Sequence, residues 1–302
     1  ASVSWASEMC IRDRDWLNLT GSSRVGYVKV EENSEGKRIV RLGIKCLDPS
    51  LVTEVINETR SAVLMSGTLW NMEKIFPGVI ETIEKLRKEG RQVLFVTNNT
   101  FFSRKTLIRK FKGFGLEIRD NELISSSQVV AEYIKLKNGN AFAIGKGLEE
   151  DLIDAGIKIE ESNPDFLAVG YDGDFNLGKL RKAYEILEKG ARLLASANGR
   201  IFLKGNEIYP GTGAIVKAIE HMSNKKALVL GKPSIYMLSF LNMFVCSPMK
   251  ETVLIGDELE SDILLGKKAG YYTVLVRTGI DKEVKGKLRP HAVIESVADI
   301  KV

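Results

Sequence analysis

From Ala62 onward, short runs of apolar and β-branched residues alternate with stretches whose apolar positions recur at helical spacing. This is the pattern of a parallel sheet whose strands are joined by crossover helices. Strands are expected at Ala62–Met65, Gln92–Thr97, Ala141–Ile144, Phe166–Gly170, Arg192–Ala195, Ala227–Leu230, Thr252–Ile255 and Tyr272–Val276. Helices are expected at Val79–Lys88, after Ser103, at Leu148–Ala155 and at Leu180–Lys189. The fold class that follows is α/β, a doubly wound parallel-sheet core carrying an inserted α/β cap. The simplest partition assigns residues 62–120 and 229–302 to the core, 121–228 to the cap and 1–61 to an N-terminal extension. That extension has another texture. Gly21–Gly36 reads as turns around a hydrophilic hairpin, followed by a strand at Arg38–Ile44 and a short helix near Leu51–Thr59.

Composition changes this picture little. The 302 residues carry a net charge of +5, and basic residues such as Lys179, Arg181 and Lys189 lie among acidic neighbours along the expected helices. They read as solvated helix faces, so no nucleic-acid partner is expected. The three cysteines form no CxxC pair and there are two histidines, which speaks against a zinc or haem site and fits a reducing, cytoplasmic setting. No apolar run has the length of a membrane helix, and the first ten residues lack the features of a signal peptide.

Three segments carry candidate chemistry, each where a strand gives way to a loop. Thr97 closes Val93–Val96 and offers a hydroxyl and an N–H; Asn98 and Asn99 follow. Lys232, in Gly231-Lys232-Pro233-Ser234, lies between a strand and a helix, where its ammonium can meet a phosphate at the helix N-terminus. Asp257 ends Val253–Gly256, and Asp262 follows five residues later, so both carboxylates can face one crevice and offer oxygen ligands to Mg²⁺. Singly, each has a plain alternative as a helix cap or a surface lysine. Together, in one order at strand ends, they mark the place where open α/β sheets bind ligands.

Val96-Thr97-Asn98-Asn99, Gly231-Lys232-Pro233 and Gly256–Asp262 resemble motifs two, three and four of the NagD and 4-nitrophenylphosphatase branch of the haloacid dehalogenase superfamily. Gly67-Thr68-Leu69-Trp70 is similar to the tail of motif one, and Val169–Asn176 and Tyr209–Gly213 are similar to cap and substrate-loop segments, which adds Gly211 and Gly213 to the substrate-binding candidates beside Asn98 and Asn99. The resemblance implies Mg²⁺-dependent hydrolysis of a small phosphorylated metabolite through an aspartyl phosphate, with Thr97 and Lys232 holding phosphate and Asp257 and Asp262 organising the metal. It leaves a homodimer through the cap as an open option. Two departures stand out. Motif one of the family reads Asp-x-Asp-Gly-Thr, nucleophile first and acid/base second; here those positions are Leu64 and Ser66. Leu64 has no atom that attacks phosphorus, and no neighbour in the sequence is placed to activate Ser66. In the cap, Asn198-Gly199-Arg200 stands where the branch usually has Asn-x-Asp.

Upstream, Leu42–Leu51 running on to Ser61–Leu69 resembles the start of the second motor domain of XPD-like superfamily-two DNA helicases. Both families place Gly-Thr-Leu after an apolar strand, so a chimera joined near Ser66–Trp70 is one account of the missing aspartates. The other is a diverged phosphatase whose N-terminal extension matches by chance; a protein that binds phosphate ligands or a partner without turnover is the alternative function.

Overall fold

The computed structural model describes residues 24–32, 38–46 and 59–300, apart from residue 285. The first two segments are strands β1 (Arg24–Glu32) and β2 (Arg38–Cys46), an antiparallel pair with Arg24 opposite Cys46. Residues 47–58, which hold nearly all of the helix expected near Leu51–Thr59 and the middle of the helicase-like segment, lie outside the described residues.

Strand β3 (Ser61–Met65) is the middle of a six-stranded sheet, and all five of its residues are buried. Its neighbours are β12 (Thr252–Gly256) and β4 (Gln92–Thr97), so that Leu64 lies between Ile255 and Phe95. Outward on one side come β13 (Tyr272–Val276) and β14 (Ala292–Ile294), and on the other β5 (Leu123–Ser125), every pairing parallel. A parallel strand with helices on both faces needs apolar residues at consecutive positions, which Ala62-Val63-Leu64-Met65 supplies. Ala62 and Leu64 pack with Ile83 and Leu86 of α1 (Val79–Lys88) and Leu107 and Phe111 of α2 (Arg104–Gly113). Val63 and Met65 pack on the other face with α3 (Ser126–Leu136), α7 (Ile235–Leu241) and α8 (Leu264–Ala269).

A second, four-stranded parallel sheet is formed by β6 (Ala141–Ile144), β7 (Phe166–Val169), β8 (Arg192–Ala195) and β11 (Leu228–Val229). Helices α5 (Leu177–Glu188) and α6 (Thr212–Ser223) cover one face through Ile186, Leu187, Ile215 and Ile219. On the other face, Phe166, Ala168 and Leu194, with Leu148 and Leu152 of α4 (Lys146–Asp154), join the cluster that holds Val63 and Met65. One apolar core therefore serves both sheets. Between β8 and α6 an antiparallel ribbon, β9 (Ile201–Lys204) and β10 (Glu207–Pro210), reaches back to the first sheet, where Gly205 N donates to Asn71 O at 2.9 Å.

The two sheets are also tied by polar contacts at the loop that follows β4. Ser103 makes no side-chain bond to the backbone at the start of α2. The free N–H there is met instead from the second unit: Asp151 of α4 accepts from Arg104 N at 2.8 Å and from the hydroxyl of Ser127. A carboxylate at a helix N-terminus satisfies an orphan donor and complements the helix dipole. Thr100 Oγ1 accepts from Tyr171 N at 2.8 Å in the same region.

Candidate active site

Strands β12, β3 and β4 are adjacent, so the segments that leave their C-terminal ends crowd one crevice, the expected ligand position of an open parallel sheet. A cavity of about 480 Å³ lies there, and Gly67, Asn98, Lys232, Asp257, Glu258 and Asp262 are among its lining.

The polar groups hold one another in place. The Lys232 ammonium is buried and sits 2.8 Å from Asp262 Oδ1. Asp262 Oδ2 accepts from the backbone N–H groups of Asp257 at 3.0 Å and Glu258 at 3.3 Å. A π-helical turn, Leu259–Ile263, curls the chain back so that a residue five positions on faces the strand end it came from. Asn98 clamps the backbone of Lys232 from both sides, accepting from its N–H at 2.9 Å and donating to its carbonyl at 3.2 Å. Asp257 Oδ2 accepts from Ile280 N at 3.1 Å. Burial, with the Asp262 charge next, pushes the Asp257 carboxyl up to about 7, and the same causes push Glu258 up to about 7.

Leu64, at the expected nucleophile position, is fully buried in the cluster with Phe95 and Ile255 and does not line the cavity. Ser66 begins a short 3₁₀ turn, Ser66–Thr68, that delivers Gly67 to the crevice. Thr97 is also fully buried, and its Oγ1 accepts from Asn99 N at 2.9 Å. Asn99 touches the cavity, while its Oδ1 accepts from Phe101 N at 3.0 Å and Phe102 N at 3.3 Å, shaping the loop. Gly211 lines the cavity and Gly213 does not. Both permit a close approach: a Cβ at Gly211 would lie 2.3 Å from Gly199 O, and one at Gly213 would lie 2.6 Å from Asn198 O. The structure thus gathers Asn98, Lys232, Asp257 and Asp262 around one space and places Thr97 and Gly213 behind it.

Sequence reasoning passed over Glu258, the Thr278–Ile280 segment and an apolar side of the cavity that includes Trp70, Phe101, Tyr171 and Phe202. Glu258 sits inside a segment already quoted, and its place directly after Asp257 was the available signal. The aromatic residues come from four separate loops and strands, and no spacing in the chain links them.

The donors that remain suit a small, hard cation. Asp257 is 5 % exposed, and its Oδ1 faces the space above Gly67, where a Cβ would come within 2.2 Å. Asp257, Glu258 and Asp262 place three carboxyl groups in the lining beside the ammonium groups of Lys232 and Lys282, so the crevice offers the hard oxygen donors that such a cation takes. Among the described residues no three His, Cys, Asp or Glu side chains converge as a cage. Mg²⁺ is commonly held by one or two carboxylates together with ligand phosphate oxygens, and Asp257 with Asp262 behind it fits that mode.

Comparison with known proteins agrees with this geometry. A haloacid dehalogenase-like hydrolase family model matches residues 64–158, and a second model of the same kind matches residues 229–300. Human chronophin is 34 % identical over 264 residues, covering 78 % of this chain and 89 % of chronophin. The ribonucleotide monophosphatase NagD of Escherichia coli K12 is 30 % identical over 246 residues, covering 79 % of this chain and 96 % of NagD. Among solved structures, the p-nitrophenyl phosphatase of Archaeoglobus fulgidus superposes with a TM-score of 0.72 at 28 % identity, covering 80 % of this chain and 97 % of the other. The parallel sheets, the crevice at their strand ends and these matches agree: the chain belongs to the haloacid dehalogenase-like hydrolases, in the phosphatase family that includes chronophin and NagD.

Proposed function

We propose that the crevice receives the phosphate group of a small phosphomonoester, and that hydrolysis, the reaction of the family, is impaired in this chain. The supporting observation is the pairing of a retained Lys232–Asp262–Asp257 cluster with a Leu64 sealed in the core. Lys232 neutralises phosphate oxygens, and Asp262 orients its ammonium. Asn98 fixes the backbone on which Lys232 rides. Asp257, with Asp262 behind it, would hold Mg²⁺, which would draw charge from the phosphoryl oxygens. Thr97 shapes the loop through Asn99 N. With Leu64 in place there is no carboxylate to attack phosphorus, and losing a covalent nucleophile lowers turnover by about 10⁴-fold or more.

The test is Mg²⁺-dependent hydrolysis of an aryl phosphate by this chain beside a Leu64→Asp, Ser66→Asp double variant. Turnover by the double variant alone supports the reading. Equal turnover by both chains sinks it, because another group must then be the nucleophile. The same burial of Leu64 favours a second reading, a protein that binds a phosphate ligand or a partner and does not turn it over. We propose that the N-terminal segment is a fragment fused near Ser66–Trp70, a reading that rests on the sequence resemblance alone, and sequencing source DNA across codons 61–70 decides whether the junction is natural. The lack of a CxxC pair among the three cysteines makes a reducing compartment, the cytoplasm, the one proposed; no helix among the described residues is long and apolar enough to cross a membrane.

A further inference from the structure

The first sheet has a second hollow, at the opposite end from the crevice. A cavity of about 280 Å³ lies where β4 and β5 begin, and Arg87 of α1, Arg91, Arg119, Asn121 and Glu122 are in its lining. Three guanidinium groups therefore border it beside one carboxylate. Two of the three are fixed. Arg87, whose side chain is 13 % exposed, pairs with Glu84 at 2.8 Å and Glu122 at 2.6 Å and donates to Glu117 O at 2.8 Å, which occupies three of its five N–H groups. Arg91, 12 % exposed, pairs with Glu89 at 3.0 Å and donates to Thr59 O. Arg119 differs. Its side chain is 72 % exposed and its Nη1 stands 3.8 Å from Glu122 Oε1, beyond hydrogen-bond reach, while Glu122 Oε2 already serves Arg87 and the N–H of Arg119 itself.

The backbone of β4 opens on the same space. β5 pairs with β4 only from Phe95 to Thr97. In a parallel ladder alternate residues turn their N–H and C=O to the same neighbour: Gln92 N donates to Arg60 O on the β3 side, and Phe95 N donates to Glu122 O on the β5 side. Val93 therefore turns its peptide groups the way Phe95 does. There, among the described residues, no strand pairs with it, and Val93 lines the cavity instead. A buried backbone N–H takes an acceptor from whatever fills the space before it. Bracing of the loops accounts for Arg87 and Arg91, and leaves Arg119 and the open edge at Val93 without a use.

We infer that this hollow is a second anion site, which takes a small oxyanion of two charges, a phosphate-type group or a dicarboxylate. Its oxygens would accept from the Arg119 guanidinium and from Val93 N–H, with the fixed charges of Arg87 and Arg91 beside them. A planar guanidinium meets such oxygens with parallel N–H groups, and guanidiniums already held in place lose little freedom on binding. The hollow shares no lining residue with the crevice, so the inference stands apart from the function proposed there.

The test is calorimetric titration of the full chain with methylphosphonate, a phosphate mimic whose C–P bond resists hydrolysis, and with malonate. Lys232→Met removes the ammonium of the crevice, so binding that this variant retains belongs elsewhere. It is expected to bind at least one probe, and which one tells a phosphate-type ligand from a dicarboxylate. Adding Arg119→Gln, or Asn121→Asp to set a further carboxylate in the lining, should weaken that binding about tenfold. Adding Arg109→Gln, which removes an exposed arginine of α2 outside the lining, should leave it unchanged. No binding of either probe by a folded Lys232→Met chain overturns the inference. So does binding that Arg119→Gln leaves intact, or that Arg109→Gln weakens as much, which marks diffuse surface charge. Should Lys232→Met fail to fold, the parent is compared with Arg119→Gln alone: one binding site fewer in the variant supports the site, and equal stoichiometry and affinity sink it.

Discussion

At the scale of single residues, the side chains that matter most are those that hold other groups in place. Asn98 touches the cavity but engages Lys232 through two backbone bonds. Asn98→Ala should therefore weaken methylphosphonate binding about five- to tenfold by freeing the backbone under the ammonium, a loss of roughly 1 kcal/mol readable by calorimetry. Asp151 offers a prediction in pH. Burial holds its carboxyl above the usual value of 3.8, against the lowering pull of Ser127 and Arg104. A carboxyl raised on folding binds more protons folded than unfolded, so its contribution is complete below the unfolded value and is lost as pH rises through the folded one. Asp151→Asn keeps an oxygen for Arg104 N and does not titrate. The melting temperature of the variant relative to the parent should accordingly climb as pH rises above the ordinary carboxylate value of 3.8, and a flat difference would show that the carboxyl of Asp151 is not raised by folding.

At the scale of elements, the central strand shows what a sequence discloses and what it conceals. Ala62–Met65 was legible as a buried parallel strand because both faces demand apolar residues, and α1 was legible over its full span from Val79 to Lys88. The ribbon β9–β10 was not, because Ile201-Phe202-Leu203-Lys204 has no clean alternation and its partner is set by the fold. Nor were β5 and α3, which run together without a loop at Ser125–Ser126. Of the site, the strand-end motifs could be read, since Lys232 and Asp257 each follow an apolar strand and stand with Asp262 in one consistent order along the chain. The inward turn of Thr97 could not, because it depends on a bond to Asn99 N. Leu64 is where element and chemistry collide. Leu64→Asp restores a carboxylate but removes an apolar side chain packed between Phe95 and Ile255, so it should cost about 2–4 kcal/mol in chemical denaturation even if turnover appears. Gly213→Ala should be similarly harmful, by about 2 kcal/mol, because its Cβ would press on the carbonyl of Asn198 at the start of α6.

At the scale of the whole molecule, the two sheets share one apolar cluster, running from Val63 and Met65 through Leu148 to Phe166 and Leu194. Units that share a core should unfold together. Calorimetry is expected to unfold the two sheets in one transition whose van't Hoff and calorimetric enthalpies agree, and separate transitions for the two sheets would show that the shared cluster does not couple them. Thr100→Val, which removes the acceptor for Tyr171 N, should lower that transition without splitting it, at a cost of about 1–3 kcal/mol.

The bond from Asp151 to the first turn of α2 also bears on how interchangeable the parts of such a molecule are. An inserted unit is often pictured as a cassette, carried by two linkers and free to be exchanged for another. Here the insert supplies the terminal group of a helix that belongs to its host, while the host's Thr100 completes the backbone of the insert at Tyr171. A graft that respected both linkers but ignored these two positions would leave each partner with an unfinished end. In this molecule the boundary between host and insert is drawn through hydrogen bonds, and transplantation would have to follow that line instead of the order of residues along the chain.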